Sequence, residues 1–506
     1  SRAGSRAGSR AGSRAGSPTR KSRRANKSWS NIPILDTRRE SDKVVEVPYQ
    51  APRVVGLVDG FARSDHHVRS LKHERESTFP RVLLAKVTNS EFSSAQVHDL
   101  RDERAIEALP ESQAAVLEAC VKARYVSPLL GEFLEREAPS AVLEEVLGWV
   151  RASALQKIVV YSPVHADPDK VRQLMDALPD SVADLDTYGL VGEAMVPRVL
   201  ELLKAGRLWR CRLMHCRLSP PQAREICNAL SAPGTSLTGL NVSSNRLGPE
   251  GVAAFGEMLA HNDRLTVLNV RANGAGLEGA QALAKGLARN TTLKTLHASH
   301  NMLEAEGTEA VVRALHENRT LKFMDLRHNH MRVLGAVAVA ECLRVNSSLY
   351  ELDLWWNDLG AEGAKALCAG LAANASLRKL GLGANRIGDE GATHLAQALL
   401  KKSHLAIVDL RSNGIGDAGV RDLADAIGKG STVEDLCLRL NCITDRGLSA
   451  LAEVLRSFKI DTRIRRLDLA YNDAPPDSAV VSSLMRIWRR KELSEKDLLL
   501  DMLGLF

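Results

Sequence analysis

Aromatic side chains are scarce in this chain: Phe, Trp and Tyr together make up 4% of 506 residues, although 44% of the residues are hydrophobic. A core of that composition is built mainly from aliphatic side chains. Such a core suits small helices packed on short strands better than a sandwich or a jelly roll. The composition therefore predicts a long helical or repetitive architecture.

The sequence also lacks any apolar run of the roughly 18 to 20 residues that a membrane span requires, so no membrane association is expected. Its eight cysteines are spread along the chain without the dense spacing of a disulfide framework. No secretory signal is visible, and we expect a soluble protein in a reducing, cytoplasmic location. Because the chain opens at Ser1, an export signal ahead of it stays open as an alternative.

Catalytic motifs are missing as well. No Gly-rich phosphate loop, Ser-His-Asp arrangement or pair of carboxylates stands out, so we predict no catalytic residues, no cofactor and no enzyme. Two groups have the residue types of a metal site: Cys211 with His215 and Cys216, and Cys437 with Cys442. The repeat described below places Cys211 on an inward core position and Cys216 where other copies carry asparagine. The sequence therefore predicts no metal.

Acidic residues are absent from residues 1–27, which hold nine Arg or Lys. These nine side chains account for the formal charge of +7, because the rest of the chain is close to neutral. Residues 1–30 begin with four Ser-Arg-Ala-Gly units and are predicted to be a disordered basic tail. Such a tail could bind the acidic tails of tubulin or other acidic surfaces, or it could be solvated and without function. Trp29 is its only aromatic residue, so specific nucleic-acid binding is not expected.

Two further segments precede the repeats. Residues 31–80 mix short apolar clusters with prolines and charges, which predicts an extended arm. In residues 81–151 apolar side chains recur at helical intervals, as at Val142, Val146 and Val150, which predicts a small helical domain. Because a solenoid exposes a hydrophobic end, this domain is expected to cap the first repeat.

What the sequence does contain is a repeat, Leu-x-x-Leu-x-Leu-x-x-Asn-x-Leu, which runs through residues 152–480 in about twelve copies. It is clear in Leu237, Leu240, Val242 and Asn245 and weaker upstream. Eight successive asparagines stand 28 residues apart. The repeated asparagines are Asn245, Asn273, Asn301, Asn329, Asn357, Asn385, Asn413, Asn441 and Asn472.

The repeat predicts its own structure. Its apolar residues alternate, as the inward side chains of a short strand do, and the asparagine amides are expected to form a ladder that bonds neighbouring backbones. The second half of each copy, such as Gly279 to Leu287, has the pattern of an amphipathic helix. Because helices are wider than strands, the predicted fold is an α/β solenoid, a horseshoe with a parallel concave sheet and convex helices.

Two details complete this prediction. Residues 481–506 end in an apolar segment and are expected to form a C-terminal helical cap. The Asn-x-Ser/Thr sequences recur with the repeat at the ends of the predicted helices, which favours a structural role over glycosylation. These sequences begin at Asn290, Asn318, Asn346 and Asn374.

The unit resembles the leucine-rich repeats of the ribonuclease-inhibitor class, over residues 152–480. That class includes ribonuclease inhibitors, the sensing arms of immune receptors, Ran GTPase-activating proteins and axonemal scaffolds, so the resemblance specifies the fold better than the function. Two stretches, 438–445 and 109–113, also resemble the leucine-rich-repeat subunit of the axonemal nexin-dynein regulatory complex. This second resemblance implies a scaffold in the cytoskeleton of a cilium or flagellum, with the other subunits of that complex as partners.

Binding in such horseshoes is expected on the concave face, where the non-core strand positions of successive repeats align. Exposed Trp beside Arg and acidic side chains is the composition of a protein-binding hot spot. The alternative is that Trp355 and Trp356 simply pack on their neighbours. The predicted protein-binding residues are Phe323, Asp325, Arg327, His328, Glu351, Asp353, Trp355, Trp356, Lys379, Asp409, Arg411, Asp435 and Arg439.

Two other functions stay open. A GTPase activator of the Ran type would need an exposed loop arginine, for which Arg246 and Arg386 are candidates, but the acidic C-terminal tail that the resemblance implies is absent. An immune-type or effector-type binding protein would need a nucleotide-binding module or an export signal, neither of which the sequence shows. A non-enzymatic scaffold is the preferred hypothesis.

Overall fold

A computed structural model describes the repeat region and a few residues on either side of it. The basic tail, the extended arm and nearly all of the predicted helical domain lie outside the described residues. The described residues are 144, 147–148, 150–151, 156–161, 167–401, 403–456, 463–475, 477–490 and 498–499.

Strands and helices alternate along the described chain. The strands are β1 (Lys157–Tyr161), β2 (Asp184–Tyr188), β3 (Arg210–Met214), β4 (Gly239–Asn241), β5 (Val267–Asn269), β6 (Thr295–His297), β7 (Phe323–Asp325), β8 (Glu351–Asp353), β9 (Lys379–Gly381), β10 (Ile407–Asp409), β11 (Asp435–Cys437), β12 (Arg466–Asp468) and β13 (Leu498–Leu499). The helices are α1 (Pro168–Ala177), α2 (Gly192–Lys204), α3 (Pro220–Ser231), α4 (Gly248–Leu259), α5 (Gly276–Arg289), α6 (Glu304–Arg313), α7 (Arg332–Val345), α8 (Gly360–Leu371), α9 (Gly388–Leu399), α10 (Asp417–Gly428), α11 (Asp445–Arg456) and α12 (Ala479–Arg490).

The strands form one parallel sheet in chain order from β1 to β13. Equivalent residues pair across each step, as Leu240 pairs with Leu268 and Leu268 with Leu296. These central leucines are fully buried, because the middle residue of each three-residue strand points at the helix layer. The predicted α/β solenoid with a parallel sheet is therefore confirmed.

The helices pack against one another through small side chains. Gly256 of α4 and Gly286 of α5 lie so close that a Cβ atom on either would collide with backbone atoms of the neighbouring helix. Such an approach requires glycine. The Ala- and Gly-rich second half of each repeat therefore sets the spacing of the helix layer.

The two ends of the sheet differ from its middle. Strands β1 to β3, which belong to the weaker repeats, have five residues each, whereas β4 to β12 have three. At the other end, the segment predicted to be a helical cap contains the end of α12 and also β13, whose Leu498 pairs with Leu467. The sheet thus continues beyond the last asparagine repeat. Among the described residues, no helix is long and apolar enough to cross a membrane.

Candidate protein-binding site

The repeated asparagines lie at the corner where each strand turns toward its helix. The Nδ2 of Asn329 donates to the carbonyl oxygens of Ala298 and Leu326, both at 3.0 Å, and its Oδ1 accepts from the backbone amide of Asn301 at 2.9 Å. The side chain is fully buried. Each such amide bonds backbone groups of two repeats that would otherwise be buried without partners. In the upstream repeat, Cys216 stands in place of the asparagine, and its backbone amide still donates to the Oδ1 of Asn245.

A second asparagine ladder lies at the opposite corner, where helices end. Four of its five members are the asparagines of the recurring Asn-x-Ser/Thr sequences, for which a structural role was expected. The Nδ2 of Asn318 donates to the carbonyl oxygens of Leu287 at 2.8 Å and Asn290 at 2.9 Å. Its Oδ1 accepts from the amides of Thr320 and Leu321. The buried members are Asn262, Asn290, Asn318, Asn346 and Asn374. Their 28-residue spacing was the signal that could have revealed a ladder.

The predicted binding residues divide into two layers on the sheet face. Seven are buried and six are partly exposed, which contradicts the expectation of one exposed patch. The buried layer comprises Asp325, Arg327, Glu351, Asp353, Trp355, Asp409 and Arg411. The accessible layer comprises Phe323, His328, Trp356, Lys379, Asp435 and Arg439.

Ion pairs hold the buried layer together. Arg327 binds both oxygens of Asp325 at 2.9 Å, and its Nε lies 3.4 Å from an oxygen of Asp353. The Nε of Arg411 donates to both oxygens of Asp409, at 3.0 Å and 2.9 Å, and its Nη2 lies 2.9 Å from one of them. A guanidinium that makes two contacts with one carboxylate, as Arg327 does with Asp325, has a fixed geometry. These residues therefore form a rigid floor for the side chains above them.

The two carboxylates that share Arg327 have opposite pKa shifts. Burial raises the pKa of both, but for Asp325 the charge of Arg327 and a hydrogen bond from His297 outweigh burial and hold the pKa well below 3.8. For Asp353, burial prevails over the more distant Arg327 and raises the pKa to about 8. Asp325 is thus the ionised partner of Arg327 at neutral pH, and Asp353 is largely protonated.

Trp355 is buried rather than exposed, with 4% of its surface accessible. Its indole occupies the space beside Gly383, where any Cβ atom would collide with the ring. The guanidinium of Arg411 lies 5.3 Å from the centre of the same ring, within the range of a cation–π contact. The expectation that Trp355 is exposed is wrong, because the missing side chain at Gly383 leaves room for the ring between two repeats.

Aromatic rings stack at the edge of the accessible layer. The ring centroids of His300 and His328 are 4.0 Å apart, and those of His328 and Trp356 are 5.0 Å apart, with the planes nearly parallel. All three residues precede a ladder asparagine and have positive φ values between 52° and 56°. The shared backbone conformation points successive rings the same way. His300 was missed in the sequence, although it occupies the same register as His328 and Trp356.

The stacked histidines are neutral. Burial, together with the charge of Arg271, lowers the pKa of His300 to about 2. The same two causes, with Arg327, lower the pKa of His328 to about 4. Arg271 lies 3.2 Å from the Nε2 of His300. The rings therefore present an uncharged, flat surface beside fixed positive charge.

A groove of about 550 Å³ opens beside these rings. The rings of His300 and His328 form one side, Arg246 contributes a positive charge, and Met302 contributes a flexible apolar side chain. Trp356 stacks on His328 next to the groove. Stacked rings, an arginine and a methionine are the side chains that protein interfaces favour. The groove is lined by Arg246, Gly248, Ala272, Asn273, Gly274, His300, Met302, His328 and His330.

The remaining accessible residues lie further along the sheet. Lys379 binds Glu351 at 3.0 Å, and Arg439 stacks on Tyr471 with 4.1 Å between guanidinium and ring centre. Burial raises the pKa of Asp435 to about 6. The structure does not join these residues to the groove. They form a charged flank of the sheet face.

The cysteines considered as metal ligands serve other contacts. Cys211 and Cys216 are fully buried, and the thiol of Cys216 donates to the carbonyl oxygen of Met214 at 3.2 Å. Burial raises the pKa of Cys216 to about 12, so its thiol stays protonated and is a poor metal ligand. Within the part of the chain that the structure describes, no three His, Cys, Asp or Glu side chains are grouped as a metal site.

Six stretches of the chain match the family described as Leucine Rich repeat: residues 235–256, 317–340, 345–368, 373–396, 401–424 and 431–452. No curated protein matches the chain. Among solved structures, the tropomodulin C-terminal domain of Caenorhabditis elegans is similar at 15% identity and a TM-score of 0.27, over 30% of this chain and 92% of that domain. So weak a likeness carries no argument about function. The six matched stretches, within a parallel sheet that alternates with helices, show an α/β leucine-rich-repeat solenoid in this part of the chain.

Proposed function

We propose that this leucine-rich-repeat protein is a non-enzymatic scaffold that binds another protein through the groove and the stacked rings of His300, His328 and Trp356. The observation that carries the proposal is the stack itself, because three flat rings beside an open groove give a partner much contact area at little entropic cost. The rigid floor of ion pairs beneath the sheet face supports preorganised binding.

The chemistry of the groove favours one kind of partner segment. Arg246 and Arg271 supply positive charge, and both stacked histidines are neutral at physiological pH. An acidic residue of the partner would pair with an arginine while an apolar or aromatic residue lies on the rings. The proposed ligand is therefore an acidic segment with at least one large apolar side chain.

The finer proposal is that the scaffold belongs to the axoneme, as a structural or regulatory subunit like that of the nexin-dynein regulatory complex. Its support is the sequence resemblance in residues 438–445, of which Arg439, Leu440 and Cys442 are the informative positions. The basic residues 1–27 would add charge attraction to the acidic tails of tubulin. The protein would then act in the cytoskeleton of a cilium or flagellum.

The test is affinity purification of the tagged full chain from ciliated cells, beside two variants. Trp356→Ala removes one ring of the stack, whereas Tyr471→Ala removes a ring at the same register outside the groove. We expect dynein-regulatory and doublet-microtubule proteins to co-purify with the wild type and with Tyr471→Ala, and to be lost with Trp356→Ala.

Two results would contradict the proposal. If both variants keep the same partners as the wild type, the groove is not the binding site. If only soluble GTPases or immune factors co-purify, the axonemal assignment is wrong. Trp355→Ala is not a suitable test, because that buried ring supports the packing around Gly383.

A further inference from the structure

The outer side of α7 carries exposed apolar side chains. Leu334 has 71% of its surface exposed, Val333 has 39% and Val337 has 40%. Val333 and Val337 are one helical turn apart, so the three side chains form a short ridge on one face of the helix. The ridge contributes nothing to the core, to which α7 already contributes Ala336, Val339 and Leu343. Packing within the repeats therefore does not explain why these exposed side chains are apolar.

Comparison with the other repeats shows that the ridge belongs to α7 alone. At the register of Leu334, the helices α4, α5, α6, α8 and α9 each carry a glutamate. At the register of Val337, they carry Ala253, Gln281, Glu309, Lys365 and Thr393. The two helices adjacent to α7 thus carry only charged residues at these two positions: Glu306 and Glu309 in α6, and Glu362 and Lys365 in α8. Isolated exposed apolar residues are ordinary in proteins, but a ridge that interrupts a row of glutamates is not.

Acidic residues border the ridge on both sides. Helices α6 and α8 pack against α7, so Glu306 and Glu362 flank Leu334, whereas Glu309 and Lys365 flank Val337. Arg313 and Lys365 pair with Glu309 and Glu362 respectively, while Glu306 forms no ion pair among the described residues. Arg332 and Arg344 lie at the two ends of α7. The middle of the ridge is therefore apolar with an acidic border.

We propose that α7 is a second docking surface, which binds a basic amphipathic helix of a partner protein. An apolar face of that helix would cover Leu334 and Val337, and a flanking lysine or arginine would pair with Glu306. A ridge along residues four apart is the feature that packs into the grooves of another helix. A second copy of this chain fits less well, because it would bring its own glutamate border against this one.

This surface is distinct from the groove beside the stacked rings. The ridge lies on the helix layer, whereas the rings lie on the sheet face and its edge. Two partners could then be held by one chain at the same time. That arrangement would make the protein a bridge between two other molecules.

The test uses the full chain and a defined probe, a fluorescein-labelled helical peptide of roughly 18 residues with a leucine face bordered by lysines. Binding is measured by fluorescence anisotropy. The Leu334→Glu variant restores the residue found in five neighbouring repeats, and Ala418→Glu makes the same charge change at the same register of α10. We expect Leu334→Glu to weaken binding by about tenfold or more and Ala418→Glu to leave it unchanged.

A peptide with glutamates in place of its lysines is expected not to bind. Equal binding of the two peptides, or equal effects of Leu334→Glu and Ala418→Glu, would overturn the proposal. A fall from dimer to monomer mass in Leu334→Glu would also overturn it, because the occupant would then be a second copy. Trp356→Ala is expected to keep full affinity for the basic peptide, which separates this result from the test of the groove.

Discussion

The turn that leads into each helix is built in two different ways, which divides the repeats into a first run and a second run. In the first run, α4 to α8, the residue at the second position of each helix is apolar: Pro249, Leu277, Ala305, Val333 and Ala361. In the second run, α9 to α11, aspartate stands at this register, as Asp389, Asp417 and Asp445. The consensus positions of the repeat do not differ between the two runs. The difference lies in how neighbouring repeats are joined.

In the second run, aspartate joins the starts of neighbouring helices. Asp389 accepts hydrogen bonds from the amides of Gly416 at 2.6 Å and Gly419 at 2.9 Å. Asp417 does the same for Thr444 and Gly447. Free amides at a helix start favour a carboxylate. In the second run, the backbone amides at the start of one helix are therefore hydrogen-bonded to the aspartate at the start of the preceding helix.

In the first run, the equivalent turn amide bonds the next ladder asparagine, as Gly360 donates to the carbonyl oxygen of Asn385. The buried asparagine ladder at the helix ends belongs to this run, and the second run has Ser403 and Ser431 instead. The first run thus has asparagine bonds at its helix ends, and apolar side chains stand where the second run has aspartate. Both proposed docking surfaces lie in the first run, where apolar side chains at the helix starts are free to meet a partner.

The largest expected effect tests the ladder at the helix ends. Asn318→Ala leaves the carbonyl oxygens of Leu287 and Asn290 and the amides of Thr320 and Leu321 without their partner. We expect a loss of about 3 kcal/mol in the free energy of unfolding. Ser403, in the second run, stands one residue past the equivalent position; Ser403→Ala removes one long bond of 3.4 Å and should cost less than about 1 kcal/mol. Urea unfolding followed by circular dichroism measures the free energy of unfolding of both variants. Equal losses would show that the helix ends of the two runs do not differ.

The next effect tests the carboxylate at the helix start. Asp389→Ala removes the acceptor for two amides and is expected to lower the free energy of unfolding by about 1 to 2 kcal/mol. Ala361→Asp places the same carboxylate in the first run. Because the amide of Gly388 already donates to Asn413, this second variant should gain nothing. A gain comparable to the loss in Asp389→Ala would show that the two turns are interchangeable.

A smaller effect comes from backbone strain at the first helical residue of the first run. Arg332 has φ 54°, whereas Gly360 occupies the equivalent position with φ 63°. Only glycine adopts such φ values without a steric cost. Arg332→Gly is expected to raise the free energy of unfolding by up to about 1 kcal/mol, and Gly360→Ala to lower it by about the same amount. Changes of the same sign in thermal unfolding would contradict this reasoning.

The smallest effect is the response of the second run to acid. Burial raises the pKa of Asp417, but hydrogen bonds from the hydroxyl and amide of Thr444 and the amide of Gly447 outweigh it and hold the pKa below 3.8. The ionised form therefore stabilises the fold above that pH, and the contribution is lost as the pH falls through the folded-state pKa. The unfolding midpoint of the wild type should exceed that of Asp417→Asn at neutral pH, and the difference should begin to shrink near about pH 3.8 and vanish once the pH lies below the folded-state pKa. A constant difference across this range would exclude the ionised carboxylate as its source.

The candidate site was only partly predictable from the sequence. The alignment of strand positions placed His328 and Trp356 in one predicted patch. His300 was missed because that patch began at β7, and His300 lies one repeat upstream, after β6. The burial of Trp355 depends on Gly383, which stands 28 residues later and has no side chain. The apolar ridge of α7 is visible in the sequence once the registers are compared, yet its exposure is known only from the packing of α6 and α8.

By itself, the sequence determined the repeat, the parallel strands, the helix layer and the confirmed α/β solenoid. These features follow from a periodic pattern of apolar residues, asparagines and small side chains, which acts within one repeat and its nearest neighbour. Only the tertiary structure decided which charged and aromatic side chains of the sheet face are buried and which are accessible. The physical reason is that burial on this face is set by the side chains of adjacent strands, and those vary from one repeat to the next without any period.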